Sequence, residues 1–170
     1  MKVLIMSDSH GLTDEVAEIC RRHKEEVSAV IHCGDSELAA NDPVIQDMLI
    51  VKGNCDYDAR LPEEIIHDAG GYRFLIVHGH LHSIKTTLMN VKYRADEENA
   101  SIICFGHSHI AGAELVDGKL YINPGSIRLP RLRNVKTYAI LELDEKTAEL
   151  SFYDDGGEAV SELSQSFQLA

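Results

Sequence analysis

The chain has 170 residues, a length that fits one domain with a core large enough to need no covalent staples. With 44% hydrophobic and 26% charged residues, its composition is that of an ordinary globular protein and excludes a fibrous or disordered chain. A net charge of −12 argues against broad nucleic-acid binding, and no apolar run approaches the roughly 18 residues of a membrane span.

In chain order, residues 2–6 form an apolar, strand-forming run that stops at the polar loop Ser7-Asp8-Ser9-His10-Gly11. Residues 13–24 carry Val16, Ala17, Ile19 and Cys20 at an approximately helical spacing, with Thr13 as the expected cap. Residues 28–33 predict a second strand, closed by Gly34-Asp35, and residues 47–51 a third, closed by Gly53-Asn54-Cys55-Asp56. Gly70-Gly71 marks a turn into a fourth strand, residues 72–77, which ends at His78-Gly79-His80. Residues 83–98 predict a helix with a polar face. Residues 101–105 predict a fifth strand, ending at Gly106-His107-Ser108-His109. Beyond it, residues 113–116, 119–123, 138–143 and 148–153 predict short strands separated by turns, among them Asn123-Pro124-Gly125-Ser126. The polar residues from about 156 to 170 are expected to be a loosely ordered tail. No repeat or linker divides the chain, so residues 1–170 are expected to form a single domain.

The amino terminus lacks the pattern of a secretory signal, and Cys20, Cys33, Cys55 and Cys104 form no CxxC pair. Both features point to the cytoplasm. Oligomeric state stays open, a homo-oligomer included.

Five apolar strands in the first two-thirds of the chain each end in a polar segment bearing Asp, His or Asn. In open α/β sheets, sites form beyond the carboxyl ends of the strands. The residues at those ends are Asp8, His10, Asp35, Asn54, His78, His107 and His109. Asp8/His10 and His107/His109 share an i, i+2 spacing, which in an extended segment puts both side chains on one face. Imidazole and carboxylate together suit Mn, Fe, Zn or Ni better than Ca or Mg. Seven ligands exceed what one tetrahedral ion takes and suit two ions sharing Asp35. Two dications bring a formal +4 and two carboxylates −2, which leaves local positive charge for an anionic ligand in an otherwise acidic protein.

In this order, Asp8-Ser9-His10, Gly34-Asp35, Gly53-Asn54-Cys55-Asp56, His78-Gly79-His80 and Gly106-His107-Ser108-His109 resemble the blocks of the calcineurin-like metallophosphoesterase superfamily, from residue 2 to about 155. The short length, the Gly-Asn-Cys-Asp block and Asn123-Pro124-Gly125-Ser126 are most similar to its small bacterial and archaeal phosphodiesterase branch, the YfcE-like proteins. The resemblance implies an α/β fold of two packed mixed β-sheets flanked by helices, a four-layer sandwich. It implies that Asp8, His10, Asp35 and His109 hold one divalent ion, and that Asp35, Asn54, His78 and His107 hold the other. Mn²⁺ is the expected metal, with Ni²⁺, Zn²⁺ and Fe²⁺ as alternatives. The implied activity is hydrolysis of a small phosphate ester, a diester first and a monoester or nucleotide second. A retromer subunit with the same fold works by binding partner proteins, which makes a scaffold the alternative outside enzymology; seven intact ligand positions favour the enzyme.

One position departs from the superfamily pattern. Many members carry His after the Asn of this block, and that His is thought to protonate the leaving group. Here it is Cys55, whose thiol, with an ordinary pKa of about 8.5, is a weak donor in comparison. His80 is the other candidate for contact with substrate, and Arg131, with Arg128 and Arg133 beside it, is the candidate phosphate-binding cation. Asp56 is either a turn residue or an orienter of a ligand, while His23, His32, His67 and His82 match no motif.

Overall fold

A computed structural model of the chain describes residues 1–170. Eleven strands and two α-helices follow in the order β1 (Lys2–Met6), α1 (Asp14–His23), β2 (Ala29–His32), β3 (Leu49–Ile50), β4 (Glu64–Ala69), β5 (Tyr72–Val77), α2 (Met89–Glu98), β6 (Ile102–Cys104), β7 (Gly112–Val116), β8 (Lys119–Asn123), β9 (Thr137–Leu143), β10 (Thr147–Asp154) and β11 (Gln165–Gln168). One sheet runs β11-β10-β9-β1-β2-β3 and the other β4-β5-β6-β8-β7. In the first, β1, β2 and β3 are parallel and β9, β10 and β11 antiparallel. In the second, β5, β6 and β8 are parallel, with β4 and β7 antiparallel at the edges.

The continuous apolar runs of β1 and β5 are explained by burial on both faces. Val3 and Ile5 point into a core shared by the two sheets, where they meet Phe74, Ile76, Ile102 and Ile122. Leu4 and Met6, on the other face, pack with Val16 and Ile19 of α1. Leu75 and Val77 likewise pack against Val91 and Ala95 of α2. The result is four layers, helix on sheet on sheet on helix. α1 is favoured locally by Asp14 and Glu15 in its first turn and by Arg21, Arg22 and His23 in its last, which complement the helix dipole. No helix is long and apolar enough to cross a membrane.

Several boundaries differ from those the sequence predicts. The third strand covers Leu49–Ile50 and not residues 47–51, because Asp42 starts a turn that accepts hydrogen bonds from Ile45 and Gln46. The second helix starts at Met89 and not at residue 83, where Ser83 has a left-handed φ of 52°. β4 was not predicted: its Glu, His and Asp residues mask an edge strand that pairs with β5 across the Gly70-Gly71 turn.

The expected loose tail is also corrected. β11 pairs with β10, and Val160, Leu163 and Leu169 enter the core between the sheets. These three apolar residues at irregular spacing carry no periodic signal, yet they join that core. Leu163→Ala is therefore expected to cost about 2–3 kcal/mol, the usual loss for a truncated core leucine, and to lower the melting temperature by several degrees. A thermal unfolding curve superimposable on wild type would show that the segment contributes nothing.

Candidate metal centre

Each candidate ligand follows the carboxyl end of a parallel strand: Asp8 and His10 after β1, Asp35 after β2, Asn54 after β3, His78 after β5, and His107 and His109 after β6. The ends of β1, β2 and β3 in one sheet thus face those of β5 and β6 in the other. Side chains far apart in sequence thus project from neighbouring strand ends.

The i, i+2 pairs do not converge by the extended geometry that their spacing suggests. Asp8, His10, Asp35, His107 and His109 all lie in the left-handed region, with φ of 53°, 42°, 57°, 68° and 60°. Sharp backbone reversals, and not strand alternation, aim these side chains. Such conformations cost non-glycine residues on the order of 1 kcal/mol each and persist where surrounding bonds hold them. Those bonds are present. The Asp8 and His10 N–H groups donate to the carbonyls of Gly34 and Asp35 at 3.0 and 2.9 Å. Asp56 accepts from the N–H groups of Asp35, Gly53 and Glu37 at 2.8, 2.7 and 2.7 Å, so it orients the Asp35 loop. The Ser126 hydroxyl donates to the Asp8 carbonyl at 2.7 Å, and the Asn123 amide donates to Gly106 O and Ser108 Oγ at 3.1 and 3.0 Å. The Asn-Pro-Gly-Ser turn is a brace for the loops of β1 and β6. Gly53 and Gly106 are required by close approach: a Cβ on the first would collide with the Asp35 carboxylate, and on the second with Ser7 and Asp8.

Second bonds fix the histidine tautomers. Nδ1 of His78 lies 2.7 Å from the Cys33 carbonyl, and Nδ1 of His109 lies 2.7 Å from the Leu129 carbonyl. Nδ1 of His10 lies 2.9 Å from the Glu37 carboxylate. A carbonyl or carboxylate oxygen only accepts, so each Nδ1 carries the proton and each neutral ring turns the Nε2 lone pair inward. These lone pairs meet other acceptors. His10 Nε2 and His109 Nε2 are 3.3 Å apart, and His78 Nε2 is 3.0 Å from Asn54 Oδ1 and 3.2 Å from Asp35 Oδ2. Asp8 Oδ1 is buried with no hydrogen bond, while Nε2 atoms of His109, His10 and His78 stand 3.1, 3.8 and 3.9 Å away. Neutral imidazoles and carboxylates in this arrangement repel; a cation in their midst, or protons on the rings, relieves the repulsion. The donor set therefore fits divalent metal.

Donor atoms lie within 4.8 Å of one another in three overlapping groups: Asp8, His10 and His109; Asp8, Asp35 and His78; His10, Asp35 and Cys55. None of these contains His107, whose ring instead packs edge-on against His78 with centroids 5.0 Å apart, while its backbone N–H donates to Asp8 Oδ2 at 3.1 Å. Burial and the neighbouring His78 push His107 down to about 4, which keeps it neutral. Burial alone would raise the Asp35 carboxyl, but the His78 ring brings it down to about 2. The Asp8 carboxyl is likewise lowered, its burial outweighed by His109, His78 and the Ser7 hydroxyl.

Cys55 is exposed, and desolvation with the adjacent Asp35 carboxylate raises its thiol to about 11. His80 sits 5.4 Å from His78 and 6.1 Å from His107 between ring centroids, and its pKa is lowered by burial and by His78. Arg131 is tied to the site through its backbone, its N–H donating to the His109 carbonyl at 3.0 Å. Arg128 donates to the His10 carbonyl at 2.5 Å. Arg133 pairs with Glu162 at 3.7 Å.

Two supporting residues escaped the sequence reading. Glu37 anchors His10, and nothing marks one loop glutamate from another. His32, fully buried, accepts from Gly34 N at 3.1 Å and bonds Ser9 Oγ at 2.8 Å through its other nitrogen. It ties the Asp8 loop to the Asp35 loop. Its signal was a histidine inside an apolar strand.

These histidines set opposite pH dependences in metal-free protein. Burial, partly offset by Asp8 and Asp56, depresses His32 to about 4, so its contribution is complete above the unfolded value near 6.5 and is lost as pH falls toward 4. Burial opposes protonation of both His78 and His109, but their carboxylate partners outweigh it and raise both, so their contribution is complete below about 6.5 and is lost at higher pH. Melting temperatures of chelator-treated protein are expected to peak near pH 6.5, with a shallower acid limb in His32→Asn. A monotonic rise from pH 5 to 8, or an unchanged acid limb in the variant, contradicts these assignments.

Residues 1–146 match the model of the calcineurin-like phosphoesterase superfamily domain. A probable metallophosphoesterase, YsnB, of Bacillus subtilis is 53% identical over 163 residues, covering 96% of each chain. A crystal structure of a predicted phosphoesterase from Streptococcus pneumoniae superposes with a TM-score of 0.94 at 36% identity, covering 98% of this chain and 97% of that one. Vps29 from Entamoeba histolytica, in a crystal structure complexed with zinc, shares the fold at a TM-score of 0.74 and 19% identity, covering 99% of this chain and 98% of that one.

Proposed function

The chain belongs to the calcineurin-like phosphoesterase superfamily, and on that premise we propose that it is a dinuclear metal-dependent phosphodiesterase of the cytoplasm, formed as a single domain and using Mn²⁺. The observation that carries this reading is the convergence of inward lone pairs on Asp8 and Asp35, fixed by anchors at each Nδ1. Asp8, His10, Asp35 and His109 would hold one ion, and Asp35, Asn54, His78 and His107 the other. Assigning Asp35 to both is supported by its sharing one donor group with His10 and another with His78. Once bound, such a pair of ions supplies an acidic water and stabilises charge on the phosphoryl oxygens.

Charge balance favours a diester. Two dications with the carboxylates of Asp8 and Asp35 leave a formal +2. A hydroxide and a diester monoanion cancel it, whereas a monoester dianion leaves the site at −1 in a protein already at −12. Ni²⁺, Zn²⁺ and Fe²⁺ suit the same donors, so the choice of Mn²⁺ rests on the mixture of hard oxygen and imidazole nitrogen ligands. A scaffold function is the competing reading, because the fold is shared with Vps29. The three rings locked with their lone pairs toward buried carboxylates support metal binding in either case, and turnover of a phosphodiester separates the enzyme from the scaffold.

The chain's own proton donors are weak. The Cys55 thiol is a poor acid at about 11, and burial and the neighbouring His78 lower His80, which disfavours its proton-donating form. General acid catalysis is typically worth 10²–10⁴-fold, most where the leaving oxygen is basic. Rates across phosphodiesters of graded leaving-group pKa are expected to fall steeply, with activated aryl esters turned over well and alkyl esters poorly. Cys55→Ser should change aryl ester hydrolysis by less than about 3-fold. A flat dependence that turns steep in Cys55→Ser would make the thiol a participant.

The shared ligand gives a second test. Asp35→Asn keeps the shape but removes a charge from the bridging position, and it should lose at least one ion and lower kcat by about 10³-fold or more. Far-UV circular dichroism should stay that of wild type, because Asp35 lies in a loop beyond β2. Two bound ions and full activity in this variant would rule out a bridging Asp35.

A further inference from the structure

Cys55 is the donor at the centre that neither the ligand set nor the hydrolysis described above employs. Its sulfur belongs to a donor group of its own: Sγ, a His10 ring nitrogen and an Asp35 oxygen all lie within 4.8 Å of one another. The side chain is exposed, and Sγ accepts only a weak hydrogen bond from the Asn54 amide, at 3.5 Å. One χ angle therefore carries the sulfur toward or away from its two neighbours. The backbone keeps it close, since the Cys55 N–H donates to Asp35 Oδ1 at 2.8 Å. The carboxylates of Asp35, Glu37 and Asp56 act on the sulfur, a negative field that disfavours a free nucleophilic thiolate and attracts a divalent cation. An independent feature points to a cation at the same place. Asp8 Oδ1, buried and without a hydrogen bond, faces the same His10 Nε2 at 3.8 Å. His10 has one lone pair to give, because Glu37 holds the proton on Nδ1. That lone pair serves an ion shared with Asp8 and His109, or an ion shared with Asp35 and Cys55, and not both at once.

We propose that Cys55 makes the centre a metal selector: a thiophilic dication such as Zn²⁺ is captured by His10, Asp35 and Cys55 and holds the enzyme off, whereas Mn²⁺ leaves the thiol free and His10 with Asp8 and His109. Zn²⁺ takes thiolate, imidazole and carboxylate together in a tetrahedron, with bonds of roughly 2.0–2.3 Å, and rotation of the exposed thiol closes the group toward that size. Mn²⁺ favours oxygen and imidazole and gains little from sulfur. Capture removes His10 from one ion of the pair, so the off state follows from a ligand that two sites cannot share. The inference rests on the metal-centre reading, and its test separates the two.

Co²⁺ takes the same tetrahedral ligands as Zn²⁺ and reports a sulfur ligand through a near-ultraviolet thiolate-to-metal charge-transfer band. Metal-stripped protein titrated with Co²⁺ is expected to develop that band. Cys55→Ser should lose the band and still bind Co²⁺ by dialysis, and it should fold as wild type does because the side chain is exposed. Co²⁺ bound without the band, or a band that persists in Cys55→Ser and so comes from another cysteine, overturns the assignment. In competition dialysis the variant's preference for Zn²⁺ over Mn²⁺ is expected to fall about 10–100-fold, the loss that even an outer partner of a metal ligand causes. An equal change for both ions overturns selection. Zn²⁺ added to Mn²⁺-loaded protein should inhibit hydrolysis of an aryl phosphodiester in wild type at about 10-fold lower concentration than in the variant. Equal inhibition overturns the off state. The charge-transfer band together with no hydrolysis of any diester by Mn²⁺-loaded protein would overturn the phosphodiesterase reading and leave the thiol ligand standing. No Co²⁺ bound by either protein would overturn the metal centre and the selector together.

Discussion

Three imidazoles turn their lone pairs onto two buried carboxylates, and most of the structure serves to keep them there. Each ring is held from behind, by the Cys33 carbonyl, the Leu129 carbonyl or the Glu37 carboxylate. The carboxylates are held too: Asp8 Oδ2 accepts from Ser7 and from the His107 N–H, and Asp35 Oδ1 accepts from the Cys55 N–H. What is left facing inward is acceptor against acceptor at 3.0–3.3 Å. Such a cluster is stable only with positive charge inside it. Protons can supply that charge in metal-free protein, as the raised pKa values of His78 and His109 indicate. Metal ions supply it with chemistry attached.

The sandwich explains how a chain this short affords so many converging donors. Parallel strands in each sheet end on the same side, and the two sheets bring their strand ends face to face over a common apolar core. A single sheet would offer one row of loops; two packed sheets offer opposing rows. The strain of five left-handed residues is concentrated in those loops and opposed by Asp56, His32, Ser126 and Asn123 from neighbouring segments. These four residues contribute by position, because their hydrogen bonds tie neighbouring loops of the site together.

The strands that bury both faces were legible, because long apolar runs ending in Asp, His or Asn mark both the strand and its loop. β4 was not, since half its residues are polar on an exposed edge. The order of the tail leaves no local signal for the related reason that Val160, Leu163 and Leu169 follow no period. Within the site, residue types pointed to metal, and spacing suggested convergence. The mechanism of convergence was legible in neither: left-handed backbone at Asp8 and His107 depends on long-range bonds to Gly34, Ser126 and Asn123. Glu37 and His32 were invisible as supports because a supporting acceptor needs only to be near, and nearness across 27 or 23 residues leaves no local pattern.

The number of cations the cluster takes decides whether the centre is dinuclear. The direct measurement is equilibrium dialysis of metal-stripped protein against Mn²⁺, with protein and metal quantified at saturation. Two ions per chain are predicted, with affinity that rises from pH 6 to 8 as the imidazoles lose their protons. Saturation at one ion per chain, or no binding at millimolar Mn²⁺, would contradict a dinuclear centre.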